Sequence, residues 1–307
     1  MIRAMQYDLN KILVIDKPVN ITSAKVVACV KELVGAKKTG HAGTLDPFAT
    51  GVLVCCINRA TKLSSFFLHA HKTYEAVLHL GIETDTQDLT GAITSTCDKT
   101  DYSAETVRSV FKQFEGIIEQ HPPVYSALKH KGVPLYKHAR RGKPVQKPAR
   151  PVQISTINIL DMTLPLIRFI VSCSAGTYIR TLCADIGASL GSGGHLKELR
   201  RIESSGFTIS EAITLSALEK LALSGQLSDQ MISMSDALRG MPSHVADNVL
   251  FEKIIHGGMI TKQDFTLSGV DPTNGFIKVV DANNDLVAVL ESTKDSRKYK
   301  YCCVFNN

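Results

Sequence analysis

One aspartate stands in a turn whose neighbours restrict its backbone. Asp46 belongs to the run Gly40-His41-Ala42-Gly43-Thr44-Leu45-Asp46-Pro47, and the proline after it disfavours helical geometry at the aspartate. A carboxylate held on a rigid loop can act as a nucleophile or as a general base. A lone Asp-Pro pair would indicate only a turn, but the longer run, with Ala49-Thr50-Gly51 behind it, favours a functional carboxylate.

An arginine near the start of a later helix is the second candidate. Tyr178, Leu182, Ile186 and Leu190 form a helical stripe, and Thr177 can cap that helix, so Arg180 falls in its first turn. A cation there opposes the helix dipole and needs an anionic partner. The sequence leaves three such partners open: Asp46, an RNA phosphate and Asp185. The alternative to a functional role is that Arg180 is a surface arginine with a local ion pair.

Three other side chains have two readings each. Tyr74 lies on the apolar face of an alternating segment, where a tyrosine either packs in the core or offers a base-stacking ring and a hydroxyl for proton transfer. His41 is a plain loop histidine or a contact to a phosphate or base. Lys17, before Pro18, is either a contact that orders the backbone or a solvated charge.

A basic segment interrupts the chain at residues 123–150. It holds eight Lys or Arg and no Asp or Glu, whereas the whole chain carries a net charge of only +6. Tyr125 and Tyr136 are interleaved with these cations, a pattern that suits phosphate contacts and base stacking. The alternative is a solvated loop. The candidate RNA contacts here are Lys129, Arg140, Arg141 and Lys143.

Local patterns predict an α+β protein around these residues. Val26, Val30 and Val34 predict a helix that begins at Thr22 or Ser23 and stops at Gly35. The other predicted helices are Ala60–Leu68 and Ala104–Phe114, the predicted strands are Lys11–Ile15, Val52–Ile57, Thr73–Leu80, Val152–Leu160 and Leu166–Cys173, and Gly81–Gly91 is a polar loop. After Gly240, short strands at Phe276–Val280 and Leu286–Leu290 predict a small all-β domain of about 65 residues.

Composition excludes several classes of protein. At 307 residues and 44% hydrophobic content, the chain can bury a substantial core. Its eight cysteines show no CxxC spacing, which predicts reduced thiols and no structural zinc. There is no signal-like amino terminus and no apolar run of membrane-spanning length. We therefore expect a cytoplasmic protein with no membrane partner and no metal site.

The motifs together resemble those of the TruB family of bacterial tRNA pseudouridine synthases. They occur in order along most of the chain: Leu13-Val14-Ile15-Asp16-Lys17-Pro18, Gly40–Pro47, Lys72-Thr73-Tyr74-Glu75-Ala76, Gly81–Gly91, Tyr125-Ser126-Ala127-Leu128-Lys129, Gly176-Thr177-Tyr178-Ile179-Arg180 and Leu199-Arg200-Arg201. The resemblance implies a pseudouridine synthase domain over residues 1–240, built on a mixed, mainly antiparallel sheet with flanking helices. A small, β-rich, PUA-like RNA-binding domain would follow at residues 241–307, where the match is weak.

The resemblance also implies roles for individual residues. Asp46 would be the catalytic aspartate, Arg180 its ion-pair partner, and Tyr74 the catalytic-site residue that stacks on the uracil. His41 would help fill the space left by the flipped nucleotide. Lys17 and Leu199 would join the substrate site, and residues 123–150 would form a mobile thumb over the RNA.

The implied reaction isomerises the T-loop uridine at position 55 of tRNA to pseudouridine. It needs no cofactor, because the leaving uracil is itself the reactant, and the T-arm of tRNA is the expected partner. The enzyme is expected to be a monomer that works without a guide RNA or an obligate protein partner.

Three rival functions remain open at this level. A catalytically silent RNA-binding protein or RNA chaperone would not need Asp46. A guide-RNA-dependent relative would work inside a larger particle, whereas the basic segment favours an enzyme that grips its own substrate. An aspartate-dependent glycoside hydrolase usually needs a second carboxylate, and no obvious partner acid stands out.

Overall fold

The computed structural model describes residues 9–265, 275–292 and 298–305. Its first strands are β1 (Lys11–Lys17), β2 (Thr39–His41), β3 (Thr50–Ile57), β4 (Lys72–Leu80), β5 (Ile82–Thr84), β6 (Ile93–Thr96) and β7 (Gly116–Gln120). These are followed by β8 (Lys129–His130), β9 (Val133–Pro134), β10 (Arg150–Thr163), β11 (Leu166–Cys173), β12 (Gly194–Ser204), β13 (Phe207–Thr208) and β14 (Ile232–Ser233). The carboxyl-terminal strands are β15 (Ser243–Val245), β16 (Phe276–Val280), β17 (Leu286–Ser292) and β18 (Tyr299–Val304).

The α-helices are mostly short and lie between the strands. They are α1 (Ser23–Leu33), α2 (Ser64–Leu68), α3 (Ala104–Gln113), α4 (Leu135–Ala139), α5 (Ile179–Leu190), α6 (Leu215–Ser224), α7 (Met234–Ala237) and α8 (Asn248–Ile255). Short 3-10 turns occur at Asn58–Leu63, Ile209–Glu211, Leu227–Gln230 and Lys262–Phe265. Within the described ranges, every helix falls short of the length and hydropathy that a membrane crossing requires.

One large mixed sheet organises the molecule. Its strand order is β14-β1-β3-β12-β4-β11-β10-β7, with β2 beside β3 and β13 beside β12. The pairing of β12 with β3 is parallel, and the other pairings in this sheet are antiparallel. The predicted α+β class with a mixed, mainly antiparallel sheet is therefore confirmed.

Both faces of the sheet are covered. Tyr74, Ala76 and Leu78 of β4 pack with Ile179 and Leu182 of α5 in one core. At the other end of the sheet, β1 and β3 are buried on both sides. One side packs against α1 and α6, and the other contacts the region around α2 and the carboxyl-terminal strands. Strands buried on both faces explain the almost continuous apolar runs in β1 and β3.

Local sequence signals account for the first helix. The Thr22 hydroxyl accepts a hydrogen bond from the Lys25 backbone N–H at 3.1 Å, which is a typical N-cap contact. Val26 and Val30 are fully buried, and the helix ends at Leu33 with Val34 as its C-cap. The prediction for this helix, with Thr22 as the cap, is confirmed.

Three local predictions need correction. The segment Gly81–Gly91 is not all loop, because β5 pairs with β6 at its start. The predicted helix Ala60–Leu68 is a 3-10 turn followed by the short α2. Thr177 does not cap α5; its hydroxyl bonds to the Ser174 carbonyl, while Gln120 bonds both backbone groups of Tyr178, the N-cap residue.

The carboxyl-terminal region contains a sheet of order β15-β16-β17-β18. The predicted strands at Phe276–Val280 and Leu286–Leu290 are confirmed, but the region is not all-β, because α8 packs its Leu250 and Ile254 into the same core. Val280, Leu286 and Phe305 also share a core with the large sheet. The division of the chain at residues 240 and 241 stays a prediction.

A glycine allows the parallel pairing that places β12 beside β3. Gly51 has φ +102°, and a Cβ atom there would lie 2.2 Å from the Arg201 carbonyl oxygen. We predict that Gly51→Ala lowers the free energy of unfolding by about 3 kcal/mol or more, because strain and a backbone clash add together. Urea denaturation measures this.

Gly225→Ala is the matched control for this prediction. Gly225 also has a positive φ, +74°, but a Cβ there meets open space. Only the backbone penalty remains, which is about 1 kcal/mol. Equal losses from the two variants would contradict the proposed clash.

Candidate active site

Asp46 lies in the turn between β2 and β3, and several contacts fix that turn. The Ser23 hydroxyl donates to the Leu45 carbonyl at 3.0 Å and accepts from the Leu45 N–H at 2.9 Å. The Ala49 N–H closes the turn by donating to the Asp46 carbonyl at 3.1 Å. The Asp46 side chain keeps 36% of its surface open. The carboxylate is therefore rigidly mounted and still accessible.

Lys17 ties the end of β1 to the same turn. Its side chain is fully buried, and its ammonium donates to the carbonyl oxygens of Pro18, Pro47 and Ala49 at 2.6–3.1 Å. Burial lowers the pKa of Lys17 to about 8, partly offset by Asp46. An ammonium has three donors, and all are used by the backbone, which supports the backbone-ordering reading of this residue over a solvated charge.

Arg180 joins the Asp46 turn to two other segments. Its Nε lies 3.0 Å from Asp46 Oδ2, while Nη1 donates to the Thr86 carbonyl and Nη2 to the Tyr125 carbonyl, both at 3.0 Å. The guanidinium side chain is only 5% exposed. Of the partners left open by the sequence, the structure shows Asp46; Asp185 instead has His121 as its electrostatic partner.

Asp88 is a residue that sequence reasoning missed. Its Oδ2 lies 3.5 Å from Arg180 Nη1, and its Oδ1 accepts hydrogen bonds from the Thr86 hydroxyl and from both the N–H and hydroxyl of Thr90. A buried carboxylate needs such partners. The sequence signal for a buried, hydrogen-bonded Asp88 was a threonine two positions before it and another two positions after it. This pattern is weak evidence, because it is common in turns.

Burial has the largest effect on the pKa of Asp46, and neighbouring charges modify that effect. Desolvation raises the pKa of Asp46 above its ordinary value, Arg180 opposes this most strongly, Asp88 adds to the rise and Lys17 reduces it. Arg180 therefore offsets only part of the effect of burial on the pKa of Asp46.

Tyr74 is packed into the core and also faces the site. It is 8% exposed and belongs to the cluster formed by β4, β11 and α5. Burial raises the pKa of Tyr74, Arg201 lowers it through its charge and a hydrogen bond, and Asp46 is close enough to raise it. Core packing of this tyrosine is therefore confirmed, and its role in base stacking and proton transfer stays a prediction.

His41 lies at the end of β2, half-buried beside the Asp46 turn. Burial and the charge of Arg201 lower the pKa of His41, which favours the neutral ring. Its buried Nδ1 has no hydrogen-bond partner among the described residues. Leu199 of β12 lies opposite Ala76 of β4 and is partly buried against the same core as Tyr74.

The basic segment 123–150 reaches the site through its backbone. Tyr125, near its start, supplies the carbonyl that Arg180 binds, and its hydroxyl donates to Asp85 at 3.3 Å. The four candidate RNA contacts in this segment have exposed side chains: Lys129, Arg140, Arg141 and Lys143. The structure thus brings Asp46, Arg180 and Tyr74 together and leaves these cations on the surface. Within the described ranges, no His, Cys, Asp or Glu cluster is arranged to hold a metal ion.

Comparison with known proteins identifies the family of this chain. Residues 31–179 match the model of the TruB family pseudouridylate synthase N-terminal domain, and residues 180–241 match that of the tRNA pseudouridylate synthase B C-terminal domain. The chain belongs to the TruB family. It is a tRNA pseudouridine synthase, an isomerase.

Individual relatives agree with this assignment. The chain is 46% identical over 226 residues to the tRNA pseudouridine synthase B of Geobacter sulfurreducens, covering 74% of each chain. It is 39% identical over 287 residues to that of Burkholderia mallei, covering 93% of this chain and 94% of the relative. A crystal structure of a Cbf5-Nop10-Gar1 complex matches with a TM-score of 0.74 at 25% identity, covering 97% of this chain and 84% of the other.

The carboxylate of Asp88 should shift the pH dependence of the enzyme. Because the negative charge of Asp88 raises the pKa of Asp46, Asp88→Asn should move the acidic limb of the pH–rate profile to lower pH. The maximal rate should also fall, since Arg180 loses an anionic partner. Single-turnover rates of pseudouridine formation across pH measure both effects.

Asp85→Asn is the control, because Asp85 lies in the same loop but is exposed and bonds to Ala92 and Tyr125 rather than to Arg180. The acidic limb of the pH–rate profile of Asp85→Asn should match that of the wild type. An unmoved limb in Asp88→Asn would show that Asp88 does not act on the Asp46 carboxylate.

Proposed function

We propose that the enzyme isomerises the T-loop uridine at position 55 of tRNA, with Asp46 as the catalytic carboxylate. The observation that carries this proposal is the 3.0 Å ion pair between an accessible Asp46 and a buried Arg180. A carboxylate held by a guanidinium has a fixed direction as well as a charge. Tyr74 and His41 lie at the same site, which suits a nucleotide more than an extended polymer surface.

The reaction requires a base that has left its stack. A uridine inside the T-loop must be extruded into the site before its glycosidic bond can be reached. The C1′–N1 bond then breaks, the uracil turns, and a C1′–C5 bond forms. The proton on C5 is lost and N1 gains one, so product and substrate are isomers and no external reactant is needed.

Asp46 acts on the nucleotide in one of two ways. It attacks as a nucleophile, or it removes a proton from the sugar as a base. Both routes need the ionised carboxylate. Arg180 favours that form and opposes the burial that would protonate it.

Other residues of the site have supporting roles in this proposal. Tyr74 stacks on the uracil and takes the C5 proton in the last step, while neutral His41 occupies the space that the flipped nucleotide leaves. Leu199 adds an apolar wall beside Tyr74. Lys17 holds the Asp46 turn through its three backbone carbonyls rather than by touching the RNA.

Residues 123–150 form the thumb that holds the T-arm. The exposed cations at Lys129, Arg140, Arg141 and Lys143 suit phosphate contacts, and Arg140 lies over the Tyr136 ring at 5.5 Å. Residues 1–240 form the synthase domain and residues 241–307 a PUA-like RNA-binding domain. The enzyme works as a monomer in the cytoplasm, without a metal, a cofactor or a membrane partner.

A guide-RNA-dependent enzyme that works in a larger particle is the rival function. The comparisons leave it open, because the similar Cbf5 structure is a complex with Nop10 and Gar1. The relatives with 39–46% identity are named tRNA pseudouridine synthases, which favours an enzyme that acts directly on tRNA. Conversion of a bare T-arm hairpin by the pure protein separates the two.

Asp46→Asn tests the catalytic assignment. The amide keeps the size of the side chain but can neither attack nor take a proton, so release of tritium from C5-labelled uridine in a T-arm hairpin should stop. Binding of tRNA should stay within about threefold of the wild type, because one carboxylate that is already paired with Arg180 adds little to affinity for a polyanion. Tritium release by the variant at the wild-type rate would refute the role of Asp46.

Neutralising the thumb tests the RNA-binding surface. The triple variant Arg140→Gln, Arg141→Gln, Lys143→Gln should weaken tRNA binding and reduce the slope of log Kd against log salt by about 2 to 3, since each phosphate contact contributes nearly one counterion. Filter binding at several salt concentrations gives the slope.

A charge-matched control uses three exposed lysines outside this segment, Lys31, Lys37 and Lys220, each changed to Gln. Its slope should stay close to that of the wild type. The same slope for both triple variants would show that the cations of residues 123–150 are solvated charges that do not bind RNA.

A further inference from the structure

The start of helix α5 is poorly specified by its own sequence. Its N-cap residue is Tyr178, and a phenol cannot accept the first-turn N–H bonds that Ser, Thr, Asp or Asn accept at this position. Arg180 follows in the first turn, where its charge opposes the helix dipole. Contacts from elsewhere in the chain must therefore fix the point at which α5 begins, and with it the direction of the Arg180 side chain.

Gln120 at the end of β7 supplies one such contact. Its Nε2 donates to the Tyr178 carbonyl at 3.1 Å, and its Oε1 accepts from the Tyr178 N–H at 2.8 Å. The side-chain amide thus pairs with both backbone groups of the N-cap residue, as a neighbouring strand would. Because Gln120 is only 1% exposed, water does not compete for these bonds.

Arg150 at the start of β10 supplies a second contact. Its Nη2 donates to the Gly176 carbonyl at 2.5 Å, and its guanidinium lies 5.5 Å from the centre of the Tyr178 ring. A Cβ atom at Gly176 would lie 3.1 Å from the same Nη2. The guanidinium is therefore packed closely against the segment that leads into α5.

Gln120 and Arg150 are themselves neighbours. They are paired residues of β7 and β10, at the edge of the large sheet. The chain between them, residues 121–149, contains the basic segment except for its last residue. Tyr125, within that connection, binds Arg180 through its carbonyl. The ends of the connection thus hold the residues before Arg180, and its interior holds Arg180 itself.

We infer that Gln120 and Arg150 are positioning residues that fix the start of α5 and so direct the Arg180 guanidinium toward Asp46. Within the proposed function, on which this inference rests, Arg180 orients the catalytic carboxylate. Its three contacts, to Asp46, to the Thr86 carbonyl and to the Tyr125 carbonyl, are all 3.0 Å long. A helix start displaced by about 1 Å would take them out of hydrogen-bond range.

Gln120→Glu tests the inference, because it replaces the amide by a carboxyl group of the same shape. The ionised carboxylate can accept from the Tyr178 N–H but cannot donate to the Tyr178 carbonyl, whereas the protonated acid can do both. Burial raises the pKa of a carboxyl group in such a place. Relative to the wild type, tritium release should be slower by about tenfold or more at about pH 8 and should recover to within about threefold at about pH 5.

The rates are measured in single turnover on a C5-labelled T-arm hairpin with saturating enzyme, so that a smaller folded fraction does not lower the rate constant. The ratio to the wild type cancels the titration of Asp46, which both enzymes share. Binding of the hairpin should stay within about threefold of the wild type, because the loss is in the chemical step. A ratio that does not change with pH would overturn the inference. A wild-type enzyme that releases no tritium would instead overturn the proposed function.

Gln153→Glu is the matched control. Gln153 is an exposed residue of β10, three positions after Arg150, so the variant adds the same charge at the same edge of the sheet. Its rate relative to the wild type should stay close to one at every pH. An equal, pH-dependent loss in this control would show a general effect of charge and would overturn the inference.

Gln120→Leu gives a second measurement without a new titrating group. Leucine nearly fills the space but pairs with neither backbone group of Tyr178. Because Arg180 lowers the pKa of Asp46, a displaced Arg180 should move the acidic limb of the pH–rate profile to higher pH by about half a unit or more. A lower melting temperature with an unmoved limb would mean that Gln120 only stabilises the fold, and this would overturn the inference.

Arg150→Lys carries the test if the Gln120 variants do not fold, because Arg150 is only partly buried. Lysine keeps the charge that RNA would meet but lacks the planar fork that stacks on Tyr178. The single-turnover rate should fall by about threefold or more while the salt dependence of tRNA binding is unchanged. A wild-type rate in this variant would overturn the role of Arg150.

Discussion

The buried guanidinium of Arg180 is the contact on which the site depends. It joins the Asp46 turn, the loop that carries Thr86 and Asp88, and the start of the basic segment at Tyr125. These segments are far apart in sequence, and Arg180 fixes their positions relative to one another. A planar fork with five donors can hold several acceptors in one fixed arrangement, which a lysine cannot. Helix α5, packed into the main core, makes that fork immobile.

A second constraint is the use of backbone carbonyls as ligands for buried cations. Lys17 binds three of them around the Asp46 turn, Lys72 binds those of Leu68 and Ala70, and Arg201 binds those of Val52 and Gly43. Carbonyl oxygens satisfy the donors without cancelling the charge. The protein therefore keeps a positive interior behind the Asp46 carboxylate, at the cost of desolvating each cation.

Local patterns were enough to predict α1 and several strands of the large sheet, but they missed its central strand β12. The valines of α1 and the alternation in β4 reflect burial on one face, which sequence periodicity records directly. The pairing of Arg180 with Asp46 joins residues 134 positions apart in the numbering, so the sequence left Asp185 and an RNA phosphate open as partners. Asp88 was missed because its neighbours satisfy it locally, as in any turn. Arg201 stood in a strand, where a charge is normally solvated, and only the tertiary structure shows it buried.

The bond between Arg180 and the Tyr125 carbonyl has a consequence for how substrate and catalyst communicate. Tyr125 belongs to the segment that carries the exposed cations, and the same guanidinium binds Asp46. A displacement of that segment that moves the Tyr125 carbonyl changes the hydrogen bonding of Arg180, and with it the acidity of Asp46. Linkage is reciprocal, so protonation of Asp46 must change the affinity for RNA by the same free energy. Affinity for RNA and the acidity of Asp46 would then be thermodynamically coupled through Arg180.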